Sequence, residues 1–221
     1  MRVVTERKSP NFDAEVIQPE FIILHYTGCD LEKTLEIFEN PAMKVAAHFV
    51  IDLDGCCYDL GDFLNQPIRR AAHAGVSRWK LEDGHEFEGL NRSSIGIEIV
   101  NYNGNIFSFA EAQYETLREL IQRLQAKFPV LKDSARFLGH EHIAGFRGKA
   151  DPGLLFDWPR VLSSVGLQPR SFHAKFTCVA EDLRFLEQAL RVTPPEKRDR
   201  DFWPALSTQF EKQIRERLEK S

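Results

Sequence analysis

Apolar residues along the chain fall into two spacings, one of two residues and one of three to four, and their alternation predicts an α/β protein. Residues 21–25 (Phe-Ile-Ile-Leu-His) form a short apolar run rich in β-branched side chains, which predicts a buried strand ending at His25. Asp30 is placed to cap a helix in which Leu31, Leu35 and Phe38 recur at helical spacing. Residues 47–60 carry apolar positions on both sides of Asp54-Gly55, a pair that tolerates positive φ, and predict a hairpin. In residues 95–101, Ile95, Ile97 and Ile99 alternate with Gly96, Glu98 and Val100, so a strand here puts the two sets on opposite faces. Ser108 and Glu111 have capping-box spacing ahead of Leu117, Leu120, Ile121, Leu124 and Phe128, which predicts a long helix stopped by Pro129. Residues 136–140 predict another short strand ending at a histidine, His140.

Between these elements, residues 61–93 read as a long loop, a length that marks functional segments inside a compact domain. Beyond Leu167 the pattern changes. Phe176, Val179, Leu183, Leu186 and Leu190 make one helical stripe, and Phe202, Leu206, Phe210, Ile214 and Leu218 make a second. The chain is thus expected to divide into a domain of residues 1–167 and a C-terminal helical hairpin of residues 168–221.

Composition narrows the class of protein. A length of 221 residues allows one full domain plus an appendage. With 43% hydrophobic and 28% charged residues the chain reads as an ordinary soluble protein, and a net charge of -4 argues against a nucleic-acid partner. Neither a signal-peptide core at the N-terminus nor a bilayer-spanning apolar run is visible, so the expected location is the cytoplasm. Cys29, Cys56, Cys57 and Cys178 read as reduced thiols; the alternative is a disulfide from Cys29 to one of the others.

Candidate chemistry sits at the strand ends. His25 and His140 each close a predicted strand, and Asp151 opens the turn Asp151-Pro152-Gly153. Two imidazoles and a carboxylate can hold a tetrahedral Zn²⁺ with the fourth position left for water. Glu98, set among isoleucines, is costly to bury without a role, and desolvation would raise its pKa toward that of a general base. Gly96 on the same face leaves room for a substrate. Spacing alone also allows these histidines to be core residues. His142 is the rival ligand, expected to project to the other side of a continuing strand. His48 is expected near the site without binding metal, and His85 and His173 at the surface. Arg69, Arg70, Arg78, Lys80 and Arg92 give residues 61–93 a basic rim that could hold carboxylates, while Trp79 and Asn91 are candidate sugar or peptide contacts.

Five segments then follow one another along the chain: I-L-H-Y-T (23–27), V-A-A-H-F-V-I-D-L-D-G (45–55), A-H-A-G-V-S-R-W (72–79), L-N-R-S-S-I-G-I-E-I-V-N (90–101) and G-H-E-H-I-A-G-F-R-G-K-A-D-P-G (139–153). Together they resemble the type-2 N-acetylmuramoyl-L-alanine amidases, a zinc family that includes phage amidases and animal peptidoglycan-recognition proteins. The resemblance runs from about residue 21 to residue 158. It implies a central mixed β-sheet flanked by helices, Zn²⁺ held by His25, His140 and Asp151, Glu98 as the catalytic acid/base, and Lys149 as the cation facing the oxyanion. It implies also that His73 lies beside the substrate cleft. The substrate would be peptidoglycan or muropeptides, cut between the muramic-acid lactyl group and L-alanine, in the setting of cell-wall recycling. One departure stands out. Gly145-Phe146 replaces the usual Pro-Gly, and Gly148 is inserted between Arg147 and Lys149, so that Arg147 is a candidate substrate contact and an alternative oxyanion cation. The competing readings are a zinc peptidase acting within the stem peptide and a non-catalytic peptidoglycan-binding protein.

Overall fold

Phe21, Ile22, Ile23 and Leu24 are fully buried in succession, as happens when a strand is covered on both faces of a sheet. In the computed structural model, which describes residues 1–174, they belong to a six-stranded sheet. The two stripes expected beyond residue 175 lie outside the described residues. In chain order the elements are β1 (Val3–Val4), β2 (Phe21–Tyr26), α1 (Leu31–Glu39), β3 (Phe49–Ile51), β4 (Cys57–Asp59), β5 (Arg78–Lys80), β6 (Glu86–Glu88), β7 (Ser94–Ile99), α2 (Glu111–Lys127), β8 (Phe137–Gly139), α3 (His140–Ala144), α4 (Trp158–Ser164) and α5 (Ser171–Ala174).

The main sheet has the order β1-β4-β3-β7-β2-β8. Only the β3–β4 hairpin is antiparallel, so the sheet is mixed, as the family resemblance implies. Alternation along β2 and β7 sorts the core into two layers. Ile22, Leu24, Ile95, Ile97 and Ile99 join Leu35 and Phe38 of α1 and Leu117, Leu120, Ile121 and Leu124 of α2. Phe21 and Ile23 face the other way, onto Ala74, Leu90 and, from α3, Ile143 and Ala144. The second layer is thinner and made largely of connecting chain, which leaves space for a site.

Several elements differ from expectation. Residues 61–93 are not one long loop: they contain the hairpin β5–β6 and a 3-10 turn, Leu90–Arg92. Strand β5 is amphipathic, with Arg78 and Lys80 outward and Trp79 turned in, which a reading based on Gly, Pro and charge overlooks. Helix α2 starts after Ala110 rather than at Ser108, because Ala110 keeps an extended backbone and its N–H donates to Gln113 Oε1 at 2.9 Å. Strand β8 ends at Gly139, and His140 opens a helix. His173 is buried, not superficial, and contacts the Phe137 carbonyl at 2.8 Å. Cys29, Cys56 and Cys57 are buried thiols, while Cys178 lies outside the described residues. No helix among the described residues is long and apolar enough to cross a membrane.

Candidate metal centre

Strand register sets the first functional side chains beside each other. His25 on β2 lies directly opposite Glu98 on β7, so both project to the same side of the sheet. On the other flank of β2, Gly139 pairs with Leu24, and His140 leaves the sheet one step further along. His25, Glu98 and His140 therefore gather at the carboxyl ends of neighbouring parallel strands, where open α/β sheets place ligands. Asp151 is brought back to them by its loop. The Glu141 N–H donates to the Asp151 carbonyl at 3.0 Å. Asn105 clasps the same loop, donating to the Ala150 carbonyl and accepting from the Leu154 N–H, each at 3.1 Å.

Three ligand atoms converge. His25 Nδ1 lies 3.1 Å from His140 Nδ1 and 2.8 Å from Asp151 Oδ2, and His140 Nδ1 is 3.0 Å from the same oxygen. All three residues are buried, and they are the one His/Cys/Asp/Glu cluster among the described residues with metal-ligand spacing. Atoms this close fit a single ion with bonds of about 2 Å. The second nitrogen of each imidazole is also occupied, His25 Nε2 by His73 Nδ1 at 3.1 Å and His140 Nε2 by the Ala74 carbonyl at 3.2 Å. That leaves both Nδ1 atoms free to ligate, in the manner of metal-binding histidines oriented from behind.

Electrostatics favour a cation here. Burial lowers the His25 pKa, which keeps the imidazole neutral and able to ligate. Burial alone would raise that of Asp151, but contacts with His140 and His25 outweigh it and hold the carboxyl well below the usual carboxylate range. Glu98 is the counterpart. Burial, with the Asp151 charge adding to it and Lys149 opposing, raises its pKa well above the ordinary value, and its buried Oε2 has no hydrogen-bond partner among the described residues. A carboxyl group whose pKa is raised beside a cluster of candidate metal ligands is suited to general acid/base chemistry. Burial and the same Asp151 charge push Glu141 up to about 8.

The pocket around the triad has a volume of about 370 Å³ and is lined by His25, Glu98, His140, Asp151, Lys149 and Tyr26, among others. Lys149 thus stands in the pocket despite the inserted Gly148. Arg147 does not; its guanidinium donates to the Val76 carbonyl at 3.0 Å and lies over Gly75. His142 is excluded as a ligand, since two steps along a helix rotate it away from His140. Its Nδ1 accepts the Gly139 N–H at 2.8 Å, and its ring packs among Trp79, Trp158 and Phe172. Trp79, the candidate sugar or peptide contact, packs its ring against His142 and Phe172 and lines a groove with Arg78 and Phe87. The space beside Gly96 is filled by His73, whose ring a Cβ there would meet at 2.5 Å. Asn91 turns inward, its Oδ1 accepting the N–H groups of His73 and Ala74 at 3.1 and 2.7 Å. His48 is buried beside the site, accepting the Gly96 N–H and donating to the Arg69 carbonyl, both at 2.9 Å. The basic rim is partly neutralised, with Arg70 paired to Asp13 and Lys80 to Glu86, while Arg78 and Arg92 line a neighbouring groove of about 600 Å³. Sequence reasoning missed Asn105, Glu141 and Ser94, because contacts across loops leave no periodic trace.

A buried His-His-Asp cluster beside a glutamate with one unpartnered oxygen has the donor set and spacing that could hold a single metal ion. The profile of the N-acetylmuramoyl-L-alanine amidase family matches residues 15–154, and the chain belongs to that family. It is 39% identical over 124 residues to the 1,6-anhydro-N-acetylmuramyl-L-alanine amidase AmpD of Haemophilus influenzae, covering 56% of this chain and 60% of that protein. With the AmpD of Salmonella typhimurium it shares 36% over 139 residues, or 63% and 65% of the two chains. The chain thus spans 60–65% of the length of these curated relatives. A crystal structure of an AmpD selenomethionine derivative superposes with a TM-score of 0.57 at 27% identity, over 74% of this chain and 93% of that one. The Escherichia coli amidase AmiD, solved with anhydro-N-acetylmuramic acid-L-Ala-D-γ-Glu-L-Lys, shares the fold at a TM-score of 0.54 and 22% identity, over 90% and 73% of the chains.

Proposed function

We propose that this chain hydrolyses the amide joining the lactyl carbonyl of an N-acetylmuramoyl sugar, including its 1,6-anhydro form, to the L-alanine of a stem peptide, with zinc as its metal and a place in muropeptide recycling. The observation that carries this reading is the convergence of His25 Nδ1, His140 Nδ1 and Asp151 Oδ2 beside Glu98, whose buried Oε2 has no partner among the described residues. Family membership and the substrates named for the relatives supply the bond.

Two nitrogens and one carboxylate oxygen suit zinc, which when bound supplies Lewis acidity toward a carbonyl oxygen and toward water. Glu98, whose pKa burial raises, takes the proton of the attacking water and returns it to the departing alanine nitrogen. The Lys149 ammonium, on the open side of the pocket, offsets charge that builds on the carbonyl oxygen. Water adds across the C–N bond, giving a free lactyl carboxylate and a peptide with a free alanine amine. Stem-peptide carboxylates would lie toward Arg78 and Arg92 in the adjoining groove.

The roles separate by mutation. Glu98→Gln keeps zinc at one equivalent by elemental analysis and loses turnover by roughly 10²-fold or more, whereas His140→Ala loses the metal as well. Full turnover in Glu98→Gln contradicts the assignment.

A further inference from the structure

Both imidazole ligands lean on the same short stretch of chain. His140 Nε2 contacts the Ala74 carbonyl at 3.2 Å, and His25 Nε2 contacts His73 Nδ1 at 3.1 Å. The backbone N–H groups of those neighbours, His73 and Ala74, both donate to Asn91 Oδ1, at 3.1 and 2.7 Å. Asn91 lies in the Leu90–Arg92 turn. That turn also ends a second chain of contacts: His73 Nε2 meets Ser94 Oγ at 3.2 Å, and Ser94 Oγ donates to the Leu90 carbonyl at 2.5 Å.

Only one direction of protons suits metal binding. With Nδ1 of His25 bearing a lone pair, Nε2 carries the proton and donates to His73 Nδ1. His73 is then protonated at Nε2 and donates to Ser94 Oγ, whose own proton goes to Leu90. Every donor in the series finds an acceptor, so the His25 tautomer is fixed by the order of the chain. At His140 the carbonyl of Ala74 accepts only from N–H, which sets the same tautomer there. His73 itself is no ligand, because its Nδ1 is turned to the ring nitrogen of His25 opposite the one that faces Asp151.

We propose that Asn91 and His73 are positioning residues of the metal site, acting together through one pinned segment that orients both imidazoles and fixes their tautomers, rather than contacts for substrate. Gly96 is part of the device. A Cβ at this position would come within 2.5 Å of His73 Cγ and Nδ1, so the absence of a side chain is what seats the His73 ring against the sheet. The inference rests on the metal reading above and says which outer groups set the affinity.

The test uses the full chain, stripped of metal and titrated with Zn²⁺ against a chromogenic chelator, with Co²⁺ absorption as a second readout. Outer groups of this kind are worth about 10–100-fold in affinity, and Asn91→Ala and His73→Phe are expected to weaken zinc by that factor and to alter the Co²⁺ spectrum. Asn91→Asp keeps an oxygen facing both N–H groups and restores wild-type affinity. Gly96→Ala, which removes no polar atom, weakens zinc in the same direction by displacing His73. Metal-free melting curves of all four variants report on the fold separately. The inference is overturned if Asn91→Ala and His73→Phe bind zinc as tightly as wild type. It is overturned equally if Asn91→Asp recovers the melting curve but not the affinity. A wild-type chain that takes up no zinc overturns the metal reading, and this inference with it.

Discussion

Glu98 illustrates how one residue can trade stability for chemistry. Opposite His25 and between Ile97 and Ile99, Glu98 is half-buried at the pocket wall, with its Oε2 buried and unpartnered among the described residues. In the metal-free protein its pKa stands well above the ordinary 4.5, so the folded state holds a proton that the unfolded chain releases. The stability this confers is present below pH 4.5 and is lost as pH rises through the folded-state value. Glu98→Gln cannot ionise. Metal-free Glu98→Gln is therefore expected to melt above wild type at neutral and alkaline pH, with the difference shrinking as pH falls to about 4.5. Parallel melting-temperature profiles from pH 4 to 9 contradict this account of the buried carboxyl.

Elements carry such residues to the site with unequal legibility. Strand β2 is legible as a continuous apolar run and β7 as an alternation that fixes which side chains share a face, while the His25–Glu98 pairing follows from the register between them. His25 is legible as the polar residue near the end of an apolar run, whereas His140, expected to end a strand, opens helix α3 one residue after β8 stops. The contacts of His73 and Asn91 are not legible, since nothing in residues 72–91 reveals that Gly96 accepts an imidazole or that Asn91 faces the backbone. Those contacts join loops, and loops lack a period. His142 was misplaced by extending a strand where Gly139 starts a helix. Helix α1 shows the converse, its start being set by one local bond from the Lys33 N–H to Asp30 Oδ1 at 2.8 Å. Asp30→Ala should cost about 1 kcal/mol in urea unfolding. Because α1 packs on the core layer opposite the His25 face, zinc affinity should stay unchanged; a loss of affinity contradicts the separation of the two layers.

At the scale of the whole molecule, one layer stabilises the sheet and the other is given to the site. The long helices cover one face, while residues 72–93, α3 and the loop to Asp151 surround the pocket on the other. Bringing two imidazoles and a carboxylate together makes the metal part of the folding equilibrium. At free zinc 100-fold above Kd, binding adds about 2.7 kcal/mol, a rise of roughly 5–10 °C in melting temperature for a chain of this size. Stripping the metal with a chelator should lower the transition by that amount, and restoring zinc should recover it. An unchanged transition contradicts a metal held by His25, His140 and Asp151.

The most direct measurement joins these scales. The zinc-loaded chain is incubated with an anhydro-N-acetylmuramoyl peptide, alongside intact peptidoglycan, and the products are weighed by mass spectrometry. Cleavage at the lactyl–alanine amide gives the anhydro sugar with a free carboxylate and the complete stem peptide beginning at L-alanine. Fragments cut within the peptide, or substrate recovered whole in the presence of zinc, contradict the amidase reading.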